Sequence, residues 1–242
     1  MILMGRFAPD EYFHIYNRAI EERLIFGDDW DKARFIISAL FFQGENSSLH
    51  FSEITKRIFF ILKLKPQTKE RHSMSSINLA DKLNVRFGTL EKILNSRTVE
   101  LVEFCLMPNH FHLILKEFQD GGISKYMQRL GDSFTKYFNA RHNRRGHVFE
   151  SRFNAVHVDS NEYLLPLSVY IHKNPYKLKE WRGREEKYPW SSFQDFLGDN
   201  RWGKFLNPSI ILEQFNNGED YKRFVNEYEP REELDQKYFI DS

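Results

Sequence analysis

From Ile123 to Phe138, apolar residues recur at intervals of three and four: Ile123, Tyr126, Met127, Leu130, Phe134, Tyr137 and Phe138. That spacing predicts an amphipathic helix, which must lay its apolar face on another surface. The chain just before it offers one. Val99–Leu106 is a run of Val, Leu, Phe and Cys, and His110–Lys116 is a second apolar run with histidines interposed. Met107-Pro108-Asn109 separates them, either as a turn between two strands or as a bend in one long strand, since proline interrupts a ladder.

Further elements flank this centre. Glu11–Arg18 alternates apolar and polar residues and reads as a strand. Asp28–Phe42 carries Trp30, Ala33, Phe35, Ile36, Ala39 and Leu40 at helical spacing, with Asp28 or Asp29 as N-cap. Gln43–Thr98 is polar and broken, with short apolar runs near Ile54–Leu64 and Leu79–Ile93, as expected of an insertion holding a helix or two. Phe149–Val158 reads as another strand. Asp159-Ser160-Asn161-Glu162 has the order of a capped helix start. The helix it opens runs through Tyr163, Leu164, Leu167, Tyr170, Ile171 and Asn174, and Pro175 ends it. Pro166 is expected to kink or delay it. Pro208–Phe215 and Glu219–Tyr228 read as short helices, and no internal repeat is visible.

Composition excludes several classes. Aromatics make up 16% of the 242 residues, which argues against a disordered chain. A single cysteine, Cys105, rules out a disulfide framework or a Cys-rich zinc finger and suits a reducing compartment. The first residues carry no sustained apolar stretch of the kind a secretory signal needs, and Ile58–Leu62 is far short of the ~20 apolar residues of a membrane helix. A cytoplasmic protein with no membrane partner is expected. Net charge is only +1, but it is unevenly spread. Gly121–Lys187 holds 13 Lys and Arg against 7 Asp and Glu, whereas Tyr188–Ser242 holds 6 against 11. A basic middle suits a phosphate-backbone ligand, although a solvated basic face has the same composition.

His110 and His112 are one residue apart on an expected strand, so both imidazoles project from one face. Such a pair can share a divalent metal if another ligand joins it. The helix before Pro175 supplies a candidate. Tyr170 and Asn174 are four apart and share a helical face. An amide oxygen is a hard ligand suited to Mg²⁺ or Mn²⁺, and it would bring a phenol beside the metal. Phenols attack weakly unless the charge developing on a phosphate is stabilised. The residues four after Tyr126, Tyr137 and Tyr163 are Leu130, Arg141 and Leu167, none of them a metal ligand, so a core role is expected for those tyrosines.

These residues carry a family resemblance. LMPNHFHLIL (106–115) resembles the His-hydrophobe-His (HUH) motif of single-tyrosine transposases. EYFHIYNRAIEERLIF (11–26) resembles that family's first strand and turn. The segment 122–153 resembles its long helix and basic turn, YIHKNP (170–175) its catalytic-helix motif, and YPWSSFQDFLG (188–198) its closing motif. The order is that of insertion-sequence-200-like and REP-associated tyrosine transposases. The resemblance implies an α+β fold: an antiparallel sheet with helices packed on one face, ferredoxin-like or RRM-like, with a helical insertion and a helical C-terminal extension. Residues 1–198 would form the transposase domain, with the insertion at about 43–98, and 199–242 the acidic extension. His110 and His112 would bind the divalent metal, with Asn174 as third ligand. Tyr170 would attack a scissile phosphate in single-stranded DNA beside a hairpin, leaving a 5′-phosphotyrosine and a free 3′-OH.

Among the basic residues, Arg141, Arg144, Arg145 and Arg152 are candidates to hold hairpin phosphates, and Lys173 and Lys177 are further phosphate candidates. His147 and Phe149 are candidates to stack on unpaired bases, with a core role expected for at least one of Phe149 and Phe153. Alternative readings are a replication-initiator nickase of the same chemistry, a domesticated hairpin binder that does not cleave, and an RRM-like RNA binder. Either a monomer or a homodimer is compatible with the sequence.

Overall fold

The computed structural model describes residues 7–45 and 89–229. In chain order these form β1 (Tyr12–Arg18), α1 (Asp29–Phe41), α2 (Thr89–Asn95), β2 (Val99–Leu106), β3 (His110–Glu117), α3 (Gly122–Arg141), β4 (Asn154–Val158), α4 (Asn161–Lys173), α5 (Phe193–Leu197), α6 (Ser209–Leu212) and α7 (Gly218–Glu227). The four strands form one antiparallel sheet in the order β2-β3-β1-β4. With α1 and α3 as crossovers this is the ferredoxin-like βαββαβ arrangement, the α+β class expected from the sequence. β2 and β3 are separate strands of a hairpin, closed where Met107 N donates to His110 O at 2.9 Å. The bent single strand is therefore excluded.

Residues opposed in register share a face of the sheet. Phe111 and Leu113 of β3 look toward α1 and α3. Phe35 packs on Phe111 with ring centroids 4.8 Å apart, and Phe26 on Phe134 at 5.2 Å. Tyr126 donates its hydroxyl to Ala39 O, tying the two helices. Each of these large side chains contributes about 1.5–3 kcal/mol by burial. The helix ends are fixed by side chains at hand. Asp28 caps α1, accepting from Trp30 N and Asp31 N at 3.0 Å. Glu117, the last residue of β3, accepts from Gly122 N and Ile123 N, capping α3 from the strand that precedes it. Gly122 is required there, because a Cβ would lie 2.4 Å from Thr98 O.

The opposite face carries His14, Tyr16 and Arg18 of β1 with Ile114, His112 and His110 of β3 facing them in register. α4 covers this face, so helices pack on both faces of the sheet and not on one as expected: alternation along β3 turns Phe111 to α1 and His112 to α4. This last helix runs unbroken through the buried Pro166, where a kink or late start was expected. Ser160 is at the N-cap position, yet its exposed side chain makes no cap bond; its backbone carbonyl accepts from Tyr163 N and Leu164 N instead. The strand expected over Phe149–Val158 is confined to β4. Before it, Asn17 Nδ2 takes the carbonyls of Ser151 and Arg152 off the ladder, and Phe149 makes only an isolated bridge to Ala19.

Two segments outside this core unit are anchored by the backbone. Thr98 N donates to Gln43 O and Glu45 N to Ser96 O, so the chain leaves and re-enters the core at one place. Most of the expected helical insertion lies outside the described residues; its last part is α2. The segment Pro189–Ser192 lies along β2: Leu106 N donates to Trp190 O, and Ser192 N to Phe104 O. Beyond it, Trp202, Phe205, Leu206, Ile211, Tyr221 and Val225 are buried in the same core.

Candidate active site

β3 sets His110 and His112 on the face beneath α4, and α4 brings Tyr170 and Asn174 down to meet them. The His112 and Tyr170 rings meet edge to face, with centroids 5.3 Å apart. His110 Nε2 lies 3.5 Å from Asn174 Oδ1. The two histidine rings are 5.2 Å apart and nearly perpendicular. His110, His112 and Asn174 are buried, whereas Tyr170 keeps partial access to solvent.

The amide of Asn174 is oriented from behind: its Nδ2 donates to the Tyr170 carbonyl at 3.2 Å, which turns Oδ1 toward His110. His110 Nδ1 lies 2.7 Å from Asn109 Oδ1. A carbonyl oxygen only accepts, so Nδ1 carries the proton there and Nε2 presents its lone pair. Nε2 and Asn174 Oδ1 are then two acceptors aimed at each other, an arrangement that a cation reconciles. The donor set therefore fits a small divalent ion such as Mg²⁺ or Mn²⁺. Among the described residues no three His, Cys, Asp or Glu side chains gather in a metal-binding group, so two imidazoles and an amide are the donors on offer.

The other tyrosines fall elsewhere. Tyr163 is buried, and burial pushes the phenols of Tyr126 and Tyr137 upward. One tyrosine escaped the sequence reading: Tyr16 stacks 6.0 Å from His112 on the sheet side. So did His14, whose Nε2 is 3.0 Å from His112 Nδ1. Alternation in β1 could have put both on one face, but only the β1–β3 register puts them beside His112.

The basic candidates divide. Lys177 stands over the Tyr170 ring, its Nζ 5.9 Å from the centroid. Arg145, His147 and Arg152 are exposed, and the Arg18 carbonyl together with the Asn17 side-chain amide holds 150–152 at the His110 end of β1. Lys173 Nζ reaches Asn226 Oδ1 at 3.3 Å, and Arg144 packs over Phe138. Arg141 is engaged within the fold, with ion pairs of 2.6 Å to both Asp28 and Asp31. Phe149, a stacking candidate from the sequence, packs edge-on against Phe111, and Phe153 is buried, so both belong to the core. No helix of the described residues is long and apolar enough to cross a membrane.

Residues 63–174 match the family model described as "Transposase IS200 like". The matched range begins inside the segment read as an insertion and ends at Asn174. No curated protein matches the chain. A solved structure described as "Structure of the REP associates tyrosine transposase bound to a REP hairpin" is similar with a TM-score of 0.48 and 11% identity, over 84% of this chain and 88% of that one.

Proposed function

Because residues 63–174 match the model of IS200-like transposases, we propose that the chain is such a transposase and that it cleaves and rejoins single-stranded DNA beside hairpins, using Tyr170 as nucleophile. The observation that carries this reading is the meeting of Tyr170 and Asn174 with His110 and His112 across the α4–sheet interface. No packing requirement calls for two buried imidazoles, an amide and a half-exposed phenol at one point.

Tyr170 Oη attacks the scissile phosphorus. The new bond is Oη–P and the broken one is P–O3′. The phenol proton is lost and the 3′ oxygen gains one, leaving a 5′-phosphotyrosine and a free 3′-OH. The phosphodiester bond energy is retained, so a 3′-OH can reverse the step and join ends without a nucleotide cofactor. His110, His112 and Asn174 would hold a divalent ion, which when bound would neutralise charge developing on the phosphate. Lys177 adds positive charge beside the phenol. Arg145, His147 and Arg152 would contact the DNA flanking the site, as would Arg144, Lys173 and Arg141 where their intramolecular bonds leave room.

The test is an SDS-resistant adduct with end-labelled single-stranded DNA from the flanks of the gene. An adduct that needs Mg²⁺ or Mn²⁺ and vanishes in Tyr170→Phe supports the reading. An adduct that survives Tyr170→Phe moves the nucleophile, with Tyr16 the next to replace. Salt-sensitive hairpin binding with no adduct would instead mean a binder that does not cleave.

A further inference from the structure

His14 is a buried imidazole on the strand beside β3, with 1% of its surface exposed. Its Nε2 lies 3.0 Å from His112 Nδ1. The two rings stack at 5.2 Å with planes 20° apart, and Tyr16 packs against both. One nitrogen of the pair must donate. An imidazole that offers Nε2 to a metal carries its proton on Nδ1. His112 can therefore serve through Nε2 only if its Nδ1–H donates and His14 Nε2 accepts. Asn109 stands in the same relation to His110, 2.7 Å from its Nδ1. Each histidine of the site is thus held at Nδ1 by a different neighbour, one from the β2–β3 turn and one from β1.

We propose that His14 is a positioning residue: by accepting the Nδ1–H of His112 it fixes that ring's tautomer and plane, so that Nε2 is presented to the site shared with His110 and Asn174. The proposal rests on the metal-site reading above. His14 itself touches neither the ion nor the DNA. Carbonyls, carboxylates and side-chain acceptors behind metal-binding histidines act in this way, and losing one typically weakens metal affinity about 10–100-fold.

The test is Mn²⁺ binding by the full chain, followed through the paramagnetic resonance signal of the free ion. Four proteins are compared: wild type, His14→Phe, His14→Gln and His110→Ala. His14→Phe keeps an aromatic ring packed on both Tyr16 and His112 and removes the acceptor. His14→Gln restores an acceptor close to where Nε2 stood. The expected result is binding in the wild type, none in His110→Ala, affinity reduced about 10–100-fold in His14→Phe, and recovery to near the wild-type value in His14→Gln. A purely structural role would give the two His14 variants similar affinities. The wild-type tautomer of His112 is read separately from long-range ¹H–¹⁵N correlations of the imidazoles, with the proton expected on Nδ1. Unchanged Mn²⁺ affinity in folded His14→Phe, or a wild-type His112 protonated on Nε2, overturns the proposal. If the wild type binds no Mn²⁺, or His110→Ala binds it equally well, the metal-site reading fails, and the tautomer spectrum still decides whether His14 orients His112.

Discussion

The hydroxyl of Tyr221 in α7 lies 2.6 Å from Nδ1 of His172 in α4, two positions along that helix from Tyr170. The same hydroxyl is 2.6 Å from Ser168 Oγ. On its other side His172 Nε2 is 3.0 Å from Ser192 Oγ and 3.3 Å from Glu103 Oε1. These five side chains are fully buried. They fasten α4, on the side of the helix opposite Tyr170, to β2, to the Pro189–Ser192 segment and to α7. Removing the Tyr221 hydroxyl leaves the buried His172 Nδ1 without its partner and takes one partner from Ser168, which keeps Glu103. Tyr221→Phe is expected to lower the unfolding free energy by about 1–3 kcal/mol. Urea denaturation measures it, and a loss under about 0.5 kcal/mol would mean the hydroxyl does not fasten the helix.

Burial pushes the Glu103 carboxyl well above its ordinary value of 4.5, with Ser168 as a smaller opposing influence. The native state therefore holds the proton after the unfolded chain has released it. Glu103 contributes its full stability below about pH 4.5, and this is lost as pH rises toward the folded-state pKa. Glu103→Gln is neutral at every pH and removes that dependence. The difference in stability between variant and wild type should shift toward the variant with rising pH, by up to about 1.4 kcal/mol per pH unit. Parallel denaturation curves at pH 5 and pH 8 with a constant difference would show that Glu103 is ionised in the fold.

Arg141 and Arg145 stand four residues apart in the basic turn and are expected to behave differently. Arg141 is paired with Asp31, which is buried and also accepts from His142 Nε2 at 3.0 Å. Arg141→Ala should destabilise the fold by roughly 1–2 kcal/mol by leaving that carboxylate under-paired. Arg145 is exposed, so Arg145→Ala should leave the melting temperature unchanged. It should instead weaken hairpin binding and lower the salt dependence of log K by about 1. Equal effects of both variants on melting temperature would contradict this division.

Lys177→Ala should slow adduct formation by up to about 100–1,000-fold, the scale of losing one group that stabilises a developing oxyanion charge. Lys177→Arg should restore a large part of it. Binding of uncleaved DNA should change much less, since a single phosphate contact is lost among several. An adduct rate unchanged in Lys177→Ala would show that the cation above Tyr170 only packs there.

What could be read from the sequence was whatever depends on local periodicity. α1, α3 and α4 follow from spacings of three and four, and His110, His112, Tyr170 and Asn174 from strand alternation and one helical turn. A residue whose surroundings depend on which strand lies next to which is not legible in this way. His14 looks like one polar residue in an alternating strand until β1 is paired to β3, and only then does it stand against His112. His172 is polar by type but fully buried, because Ser192, Glu103 and Tyr221 come from three distant parts of the chain to surround it. Arg141 counted as a cation for DNA because charge is visible in a sequence, whereas its partners Asp28 and Asp31 lie more than a hundred residues earlier. β4 fell short of the expected strand because the Asn17 side chain claims carbonyls that a ladder would have used.

The histidines and the tyrosine ride on different bodies. His110 and His112 are fixed to the sheet, while Tyr170 is fixed to a helix whose seat against β2 and α7 is set by Ser168, His172 and Tyr221. The gap between phenol and imidazole is therefore a dimension of the whole layer and not of the site. Substitutions in that packing would act as shims beside the helix and tune the reach of Tyr170 without changing a side chain of the candidate site.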